Sequence, residues 1–171
     1  MKRILFMAVL LIVGFFTLPV AANDKDTLIR FKGGIGVHAV SNVAGEANAD
    51  GTFPNVTRNV VRGVNPAGQI WVIDKLEAKV KTNGDIRVKG KGLILGGGNN
   101  IGTSGTGQQV QARLFCGGIP HNSDLVPLAL DGDFNIDDVL VPLPPNPCLN
   151  PVLLIVSAGG NWFAAGIPKL D

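Results

Sequence analysis

Apolar and polar residues alternate through much of the chain beyond residue 22, which is the period of a half-buried β-strand. In Gln109–Cys116, for example, the even-numbered residues are apolar, whereas Gln109, Gln111 and Arg113 fall on the opposite face. Glycine and proline number 23 and 11 in the chain and interrupt every stretch of helical length. The pattern predicts an all-β fold, either a single-domain antiparallel β-sandwich or a partly closed β-barrel of about nine strands.

A first hairpin is predicted over residues 70–95, with its turn at Thr82-Asn83-Gly84. A three-residue loop places Gly84 in the left-handed conformation of a G1 bulge. That register pairs Val80 with Ile86 and Ala78 with Val88, because a shift of one residue would mix apolar and charged side chains on each face. The outer face is then expected to carry Lys79, Lys81, Arg87 and Lys89.

A second hairpin is predicted over residues 125–137, turning at Asp131-Gly132. An odd-numbered loop keeps four apolar side chains on one face, namely Val126, Leu128, Phe134 and Ile136. Pro127 favours an edge position for the first strand, because proline cannot donate to a ladder of hydrogen bonds. Further strands are predicted over residues 28–40, 56–64, 152–157 and 162–167.

Two segments are irregular in pattern, and one of them bears on the cysteines. Residues 96–107 contain six glycines and predict a loop, whereas residues 142–151 contain five prolines and predict an extended strap. Cys148 lies in the strap, and the other cysteine of the chain, Cys116, ends a predicted strand. Two cysteines in an exported chain indicate a disulfide, which would tie the strap to that strand.

The N-terminal residues have the composition of a cleaved signal peptide. Lys2 and Arg3 precede an apolar run, Pro19 ends that run, and small residues at Val20 and Ala22 suit a signal-peptidase site. The apolar run is too short for a bilayer of about 30 Å. The expected organisation is a signal peptide at residues 1–22 and one β-domain at residues 23–171. The protein is expected to be secreted or periplasmic, with no membrane span after processing.

Removal of residues 1–22 would change the charge of the protein. The basic count falls from 15 to 13 because Lys2 and Arg3 are lost, the acidic count stays at 13, and the net charge becomes zero. The chain as a whole therefore gives no reason to expect nucleic-acid binding.

The charge of the chain is uneven along its length. Residues 23–113 contain 12 basic and 7 acidic residues, and residues 114–168 contain no lysine or arginine. Two differently charged surfaces are one interpretation. The favoured one is that the fold interleaves the two halves, so that their fields largely cancel.

No sequence motif identifies a catalytic site or a cofactor site, and none is expected. His38 and His121 are the two histidines, and neither stands in a recognisable catalytic motif. Asp131, Asp133 and Asp137 recur with the alternation of a calcium loop, but Ile136 and Pro142 replace the glycine and glutamate that an EF-hand requires. These carboxylates are weak metal candidates, and a solvated strand face is the favoured interpretation. Trp71 and Trp162 lie in apolar patterns and are expected to pack in the core.

Three functions remain open from the residues. The leading hypothesis is an exported, non-catalytic β-domain with a structural or partner-binding role. The first alternative is a secreted hydrolase that uses His121 or His38 with an aspartate of residues 124–138. The second is a small β-barrel that binds an apolar ligand, which requires an interior cavity in place of a filled core.

Overall fold

A computed structural model describes residues 26–169, and the predicted signal peptide lies outside this range. The predicted all-β fold is confirmed, because the described residues form thirteen strands and no α-helix. Residues 26–169 accordingly contain no helix able to cross a membrane. The strands are β1 (Thr27–Gly36), β2 (Val40–Ala44), β3 (Asn55–Arg58), β4 (Trp71–Val72), β5 (Lys75–Lys81), β6 (Asp85–Lys91), β7 (Ile94–Leu95), β8 (Gln109–Cys116), β9 (Ile119–Asn122), β10 (Val126–Pro127), β11 (Phe134–Val139), β12 (Val152–Ser157) and β13 (Trp162–Pro168).

Nine of these strands form one antiparallel sheet that curls into a partly closed barrel. The order along the sheet is β10, β8, β12, β13, β1, β5, β6 and β11, and β9 pairs with the second half of β8. Two short ribbons, β2 with β3 and β4 with β7, complete the fold. Antiparallel pairing with alternating burial gives a sheet with one apolar and one polar face, which the curl turns into an interior and an exterior.

The first predicted hairpin is confirmed, residue for residue. Val80 pairs with Ile86 and Ala78 pairs with Val88, and all four side chains are buried. Gly84 has a φ of 88°, the left-handed conformation that the three-residue loop requires. The four predicted outer cations lie on the exterior of β5 and β6, where they are exposed or half-buried.

The second predicted hairpin is wrong in its strand pairing. The turn is present, because the Ala129 amide donates to the Asp133 carbonyl at 3.1 Å, and the inward face is as expected. Beyond the turn, however, β10 pairs with β8, whereas β11 pairs with β6. The chain therefore crosses between the two ends of the sheet at this turn. The edge position predicted for Pro127 is confirmed, since β10 is the first strand of the sheet.

A second set of contacts joins the two ends of the sheet along β9 and the segment after β11. Asn122 and Val141 exchange two backbone hydrogen bonds of 2.9 and 2.8 Å. The carboxylate of Asp138 accepts the Asp124 amide at 2.6 Å. Between β9 and β10, the Ser123 hydroxyl accepts the Ala112 amide at 2.9 Å and replaces a ladder bond where the edge bends. These polar contacts satisfy backbone groups that an open edge would expose.

The interior of the barrel is filled by side chains. Leu76, Ile86, Leu114, Leu153 and Ile155 are fully buried and belong to one continuous hydrophobic cluster. Strand β12 is buried on both faces. The segment before β4 lies beside the start of β13, because the Ala67 amide donates to the Trp162 carbonyl and the Trp162 amide donates to the Asn65 carbonyl. Trp71 and Trp162 are buried, as predicted.

The predicted disulfide between Cys116 and Cys148 is present. It joins the end of β8 to the proline-rich strap, and the Gly117 amide donates to the Leu149 carbonyl beside it. A disulfide is the state expected for paired cysteines in an oxidising compartment.

Replacing both cysteines with serine is expected to lower the free energy of unfolding. The bond spans 32 residues, and a loop of that length restricts the unfolded chain by about 3 to 4 kcal/mol. Chemical denaturation of the oxidised protein and of the double variant would measure the difference. Equal stability of the two proteins would contradict a structural role for the disulfide.

Gly90 on β6 is expected to be intolerant of a side chain because it lies opposite Phe134. A methyl group at Gly90 would overlap the Phe134 ring. Gly90→Ala should therefore lower the free energy of unfolding by about 1 to 3 kcal/mol through overpacking. Gly97→Ala is the matched control, because its added methyl group meets nothing within 4 Å, and it should change stability by less than about 1 kcal/mol. Equal effects of the two substitutions in a denaturation experiment would contradict this packing.

Candidate functional site

His121 is a buried residue of β9 whose ring faces the interior. Its cross-strand partner is Leu114, an inward side chain of β8, and its own exposed fraction is 2%. The Nδ1 atom lies 2.6 Å from the Pro142 carbonyl and donates to it, because a carbonyl can only accept. The Nε2 atom is buried without a hydrogen-bond partner among the described residues. This environment ties the ring to the strap and keeps it away from solvent.

His38 lies between β1 and β2 and is exposed. Its backbone carbonyl accepts a hydrogen bond from the Asn59 side chain at 3.1 Å. His38 is far in sequence from the aspartates of residues 124–138. Neither His38 nor His121 lines either of the two surface cavities described below. A general base must reach substrate in a cleft. Of the two histidines, His121 is enclosed in the core, and His38 is exposed outside both cavities.

The three weak metal candidates are engaged in separate contacts. The Asp131 carboxylate accepts the Asp133 amide at 3.1 Å, and Asp133 itself accepts the Gly92 amide at 3.2 Å. Asp137 pairs with Arg87 at 3.2 Å on the exterior. Within residues 26–169, no three histidine, cysteine, aspartate or glutamate side chains are grouped so that they could hold a metal ion.

The most strongly charged surface of the described structure is the exterior of three neighbouring strands, β1, β5 and β6. Together these strands carry eight cations and two carboxylates. All ten side chains point outward, because the alternate residues face the core. This surface, called the basic face below, consists of Arg30, Lys32, Lys75, Lys79, Lys81, Arg87, Lys89 and Lys91, with Glu77 and Asp85.

The strand register places cations of the basic face directly opposite one another. Arg30 of β1 lies opposite Lys79 of β5, which lies opposite Arg87 of β6. Lys75 and Lys91 form a further pair of opposed cations. Like charges in directly opposed positions destabilise a sheet. The register thus concentrates positive charge on the outer side of the sheet.

Several cations of the basic face pair with carboxylates. Asp85 lies 3.0 Å from Lys81, and this ammonium group, helped by the Asn83 side chain, lowers the pKa of the Asp85 carboxyl. Glu77 contacts Lys75 at 3.2 Å, and Arg87 contacts Asp137 of β11. Since these pairs are exposed, each contributes little to stability.

The basic face is concave at its centre. A cavity of about 320 Å³ opens there, with Phe31 and Ala78 among its lining residues. Among residues 26–169, six cationic side chains and a single carboxylate, Glu77, surround it. The cations are Arg30, Lys32, Lys79, Arg87, Lys89 and Lys169. A concave surface of one sign of charge concentrates the electrostatic potential and attracts anions.

The sequence shows the excess of basic residues that forms this face, but it does not show that these residues come together on one surface. An excess of five positive charges in residues 23–113 was visible, and interleaving of the two halves was expected to cancel it. In the structure, β1 lies beside β5, and β5 beside β6, so three basic strands are adjacent. The acidic second half of the chain meets this face along β11, where Asp137 pairs with Arg87.

No protein-family model, curated protein or solved structure matches this chain. The candidate site is accordingly defined by its own geometry and charge.

His121→Ala is expected to destabilise the protein, whereas His38→Ala is not. The first substitution leaves a cavity in the core and removes the hydrogen bond to Pro142, at a cost of about 2 to 4 kcal/mol. The second removes an exposed side chain and should change the free energy of unfolding by no more than about 0.5 kcal/mol. Denaturation of both variants would measure these effects. An unchanged stability of His121→Ala would contradict a structural role for this ring.

Proposed function

We propose that this protein is an exported, non-catalytic binding domain that holds a linear anionic polymer on its basic face. The observation that carries the proposal is the row of opposed cations formed by Arg30, Lys79 and Arg87. Such a row concentrates positive charge over a short length of the sheet exterior. Anionic groups bound over it would be attracted by several positive charges together.

The dimensions of the basic face favour a polymer over a single small anion. The cations extend along all of β5 and β6, a length of about 20 Å for seven residues. Neighbouring strands are about 5 Å apart, and successive outward residues of one strand are about 7 Å apart. An extended chain with regularly repeated sulfate, phosphate or carboxylate groups can meet several cations of this array together. The central cavity gives such a chain a place to seat one of its anionic groups.

The type of polymer follows from what the basic face presents. No aromatic side chain points outward from β1, β5 or β6. Proteins that grip single-stranded nucleic acids stack bases on aromatic rings, and this face offers only charge. An acidic polysaccharide is therefore the preferred partner class for an exported protein. Neither histidine lies on this face, so the proposal involves no chemical step.

Binding of dextran sulfate is expected to weaken when cations around the central cavity are removed. Lys32→Gln combined with Lys89→Gln should raise the Kd about 3- to 10-fold at low ionic strength, because each exposed charge contributes up to about 1 kcal/mol. Glu77→Gln should lower the Kd, since it removes the one carboxylate among the described residues that line the cavity. Isothermal titration calorimetry of the processed protein would measure all three proteins.

A control with the same change in net charge is Arg58→Gln combined with Arg62→Gln. Both residues are exposed and lie outside the large sheet, where they donate to backbone carbonyls. This variant should bind dextran sulfate nearly as tightly as the unmodified protein. Equal losses in the two double variants would show that only overall charge matters, and the absence of binding at low salt would overturn the proposal.

A further inference from the structure

A second cavity, of about 700 Å³, opens between the glycine-rich loop and the turn that joins β12 to β13. It is separate from the basic face, with which it shares no residue. Seventeen residues line it, and none of them is charged. Its volume lies in the range typical of ligand-binding sites. This cavity is called the neutral cleft below.

Amide side chains give the neutral cleft its polar character. Five of them line it, and within residues 26–169 none is hydrogen-bonded to another protein group. An amide offers donors and an acceptor on the same side chain. The five residues are Gln69, Asn100, Gln108, Gln109 and Asn161.

The walls of the neutral cleft are held in place before any ligand arrives. Leu95 exchanges backbone hydrogen bonds with Gly102 and Thr103, at 3.0 and 2.9 Å. The buried Ser104 hydroxyl donates to the Ala129 carbonyl at 2.7 Å and fixes the loop to the turn before β11. Across the cleft, the backbone amide of Asn161 donates to the Ser157 hydroxyl at 3.2 Å. Such preorganisation reduces the entropy lost on binding.

The lining of the cleft selects for one class of ligand. A charged ligand would lose its hydration with no opposite charge to replace it, and an apolar ligand would leave the amides without partners.

Binding of a peptide as an added strand is disfavoured by the pairing of the strands at the cleft. A peptide that added a strand would need an open strand edge. The strands that reach the cleft are already paired: Gln109 opposes Pro127 while its carbonyl accepts the Ala158 amide, and Leu95 opposes Trp71.

We infer that the neutral cleft is a binding site for an uncharged saccharide. Hydroxyl groups both donate and accept hydrogen bonds, and they therefore match amide side chains in number and in kind. Trp71 and Phe163 stack at the floor with their ring centroids 3.9 Å apart. Both rings are largely buried, so the floor supplies a small apolar surface and the amides supply most of the contacts. This site would act alongside the basic face and does not depend on it.

Titration of the processed protein with neutral oligosaccharides tests the inference. Cello-, malto- and manno-oligosaccharides are suitable probes, and calorimetry together with tryptophan fluorescence reports binding near Trp71. High salt, about 1 M, screens the basic face and leaves neutral contacts in place. At least one of these oligosaccharides should bind. Gln109→Leu and Asn161→Leu should each raise its Kd about tenfold, since each removes hydrogen bonds to the ligand.

Gln111→Leu is the matched control for Gln109→Leu. Gln111 is the next outward glutamine of the same strand, two residues further along, and it does not line the cleft. This substitution should leave saccharide binding unchanged, as should the double variant Lys32→Gln and Lys89→Gln on the basic face. Failure of all three oligosaccharide classes to bind would overturn the inference. Equal losses in Gln109→Leu and Gln111→Leu, or tighter binding of an uncharged peptide than of any saccharide, would do so as well.

Discussion

Backbone hydrogen bonds between Asn122 and Val141 hold together the two edges of the large sheet. The turn at residues 129–133 joins the same edges further along, because it passes the chain from β10 to β11. An open sheet of nine strands would leave one apolar face in water and two unpaired edges. Closure buries that face against itself. The filled core, the position of the strap and the exposure of the outer face all follow from it.

The barrel is filled at the positions where a ligand-binding barrel would be hollow. Close-packed branched side chains occupy the interior, and Gly90 makes room for the ring of Phe134. The buried ring of His121 belongs to this packing and is connected to the strap through Pro142. Both proposed sites accordingly lie on the exterior, where polar side chains can be arranged without disturbing the core.

The two proposed exterior sites differ in the charge of their lining residues. The basic face attracts anions over a distance comparable with the Debye length, about 8 Å at physiological ionic strength. The neutral cleft acts only at contact, because amide and hydroxyl groups have no long-range field. A polysaccharide with charged and uncharged regions could engage both surfaces, and linked binding of this kind raises the overall affinity without any new contact.

The sequence by itself determined the features that depend on neighbouring residues. Alternation fixed the strand faces, the loop ending at Gly84 fixed the register of β5 and β6, and the two cysteines indicated their bond. Only the tertiary structure decided which strands lie side by side. A turn at residues 129–133 is compatible with a hairpin or with a crossing between sheet edges, and long-range pairing energies choose between them. The pairing of β1 with β5 could not be predicted from the sequence either, and it is this pairing that brings the basic residues of the two strands onto one face. The neutral cleft combines residues from separate segments of the chain. The periodicity of a single segment does not show which other segments it will contact.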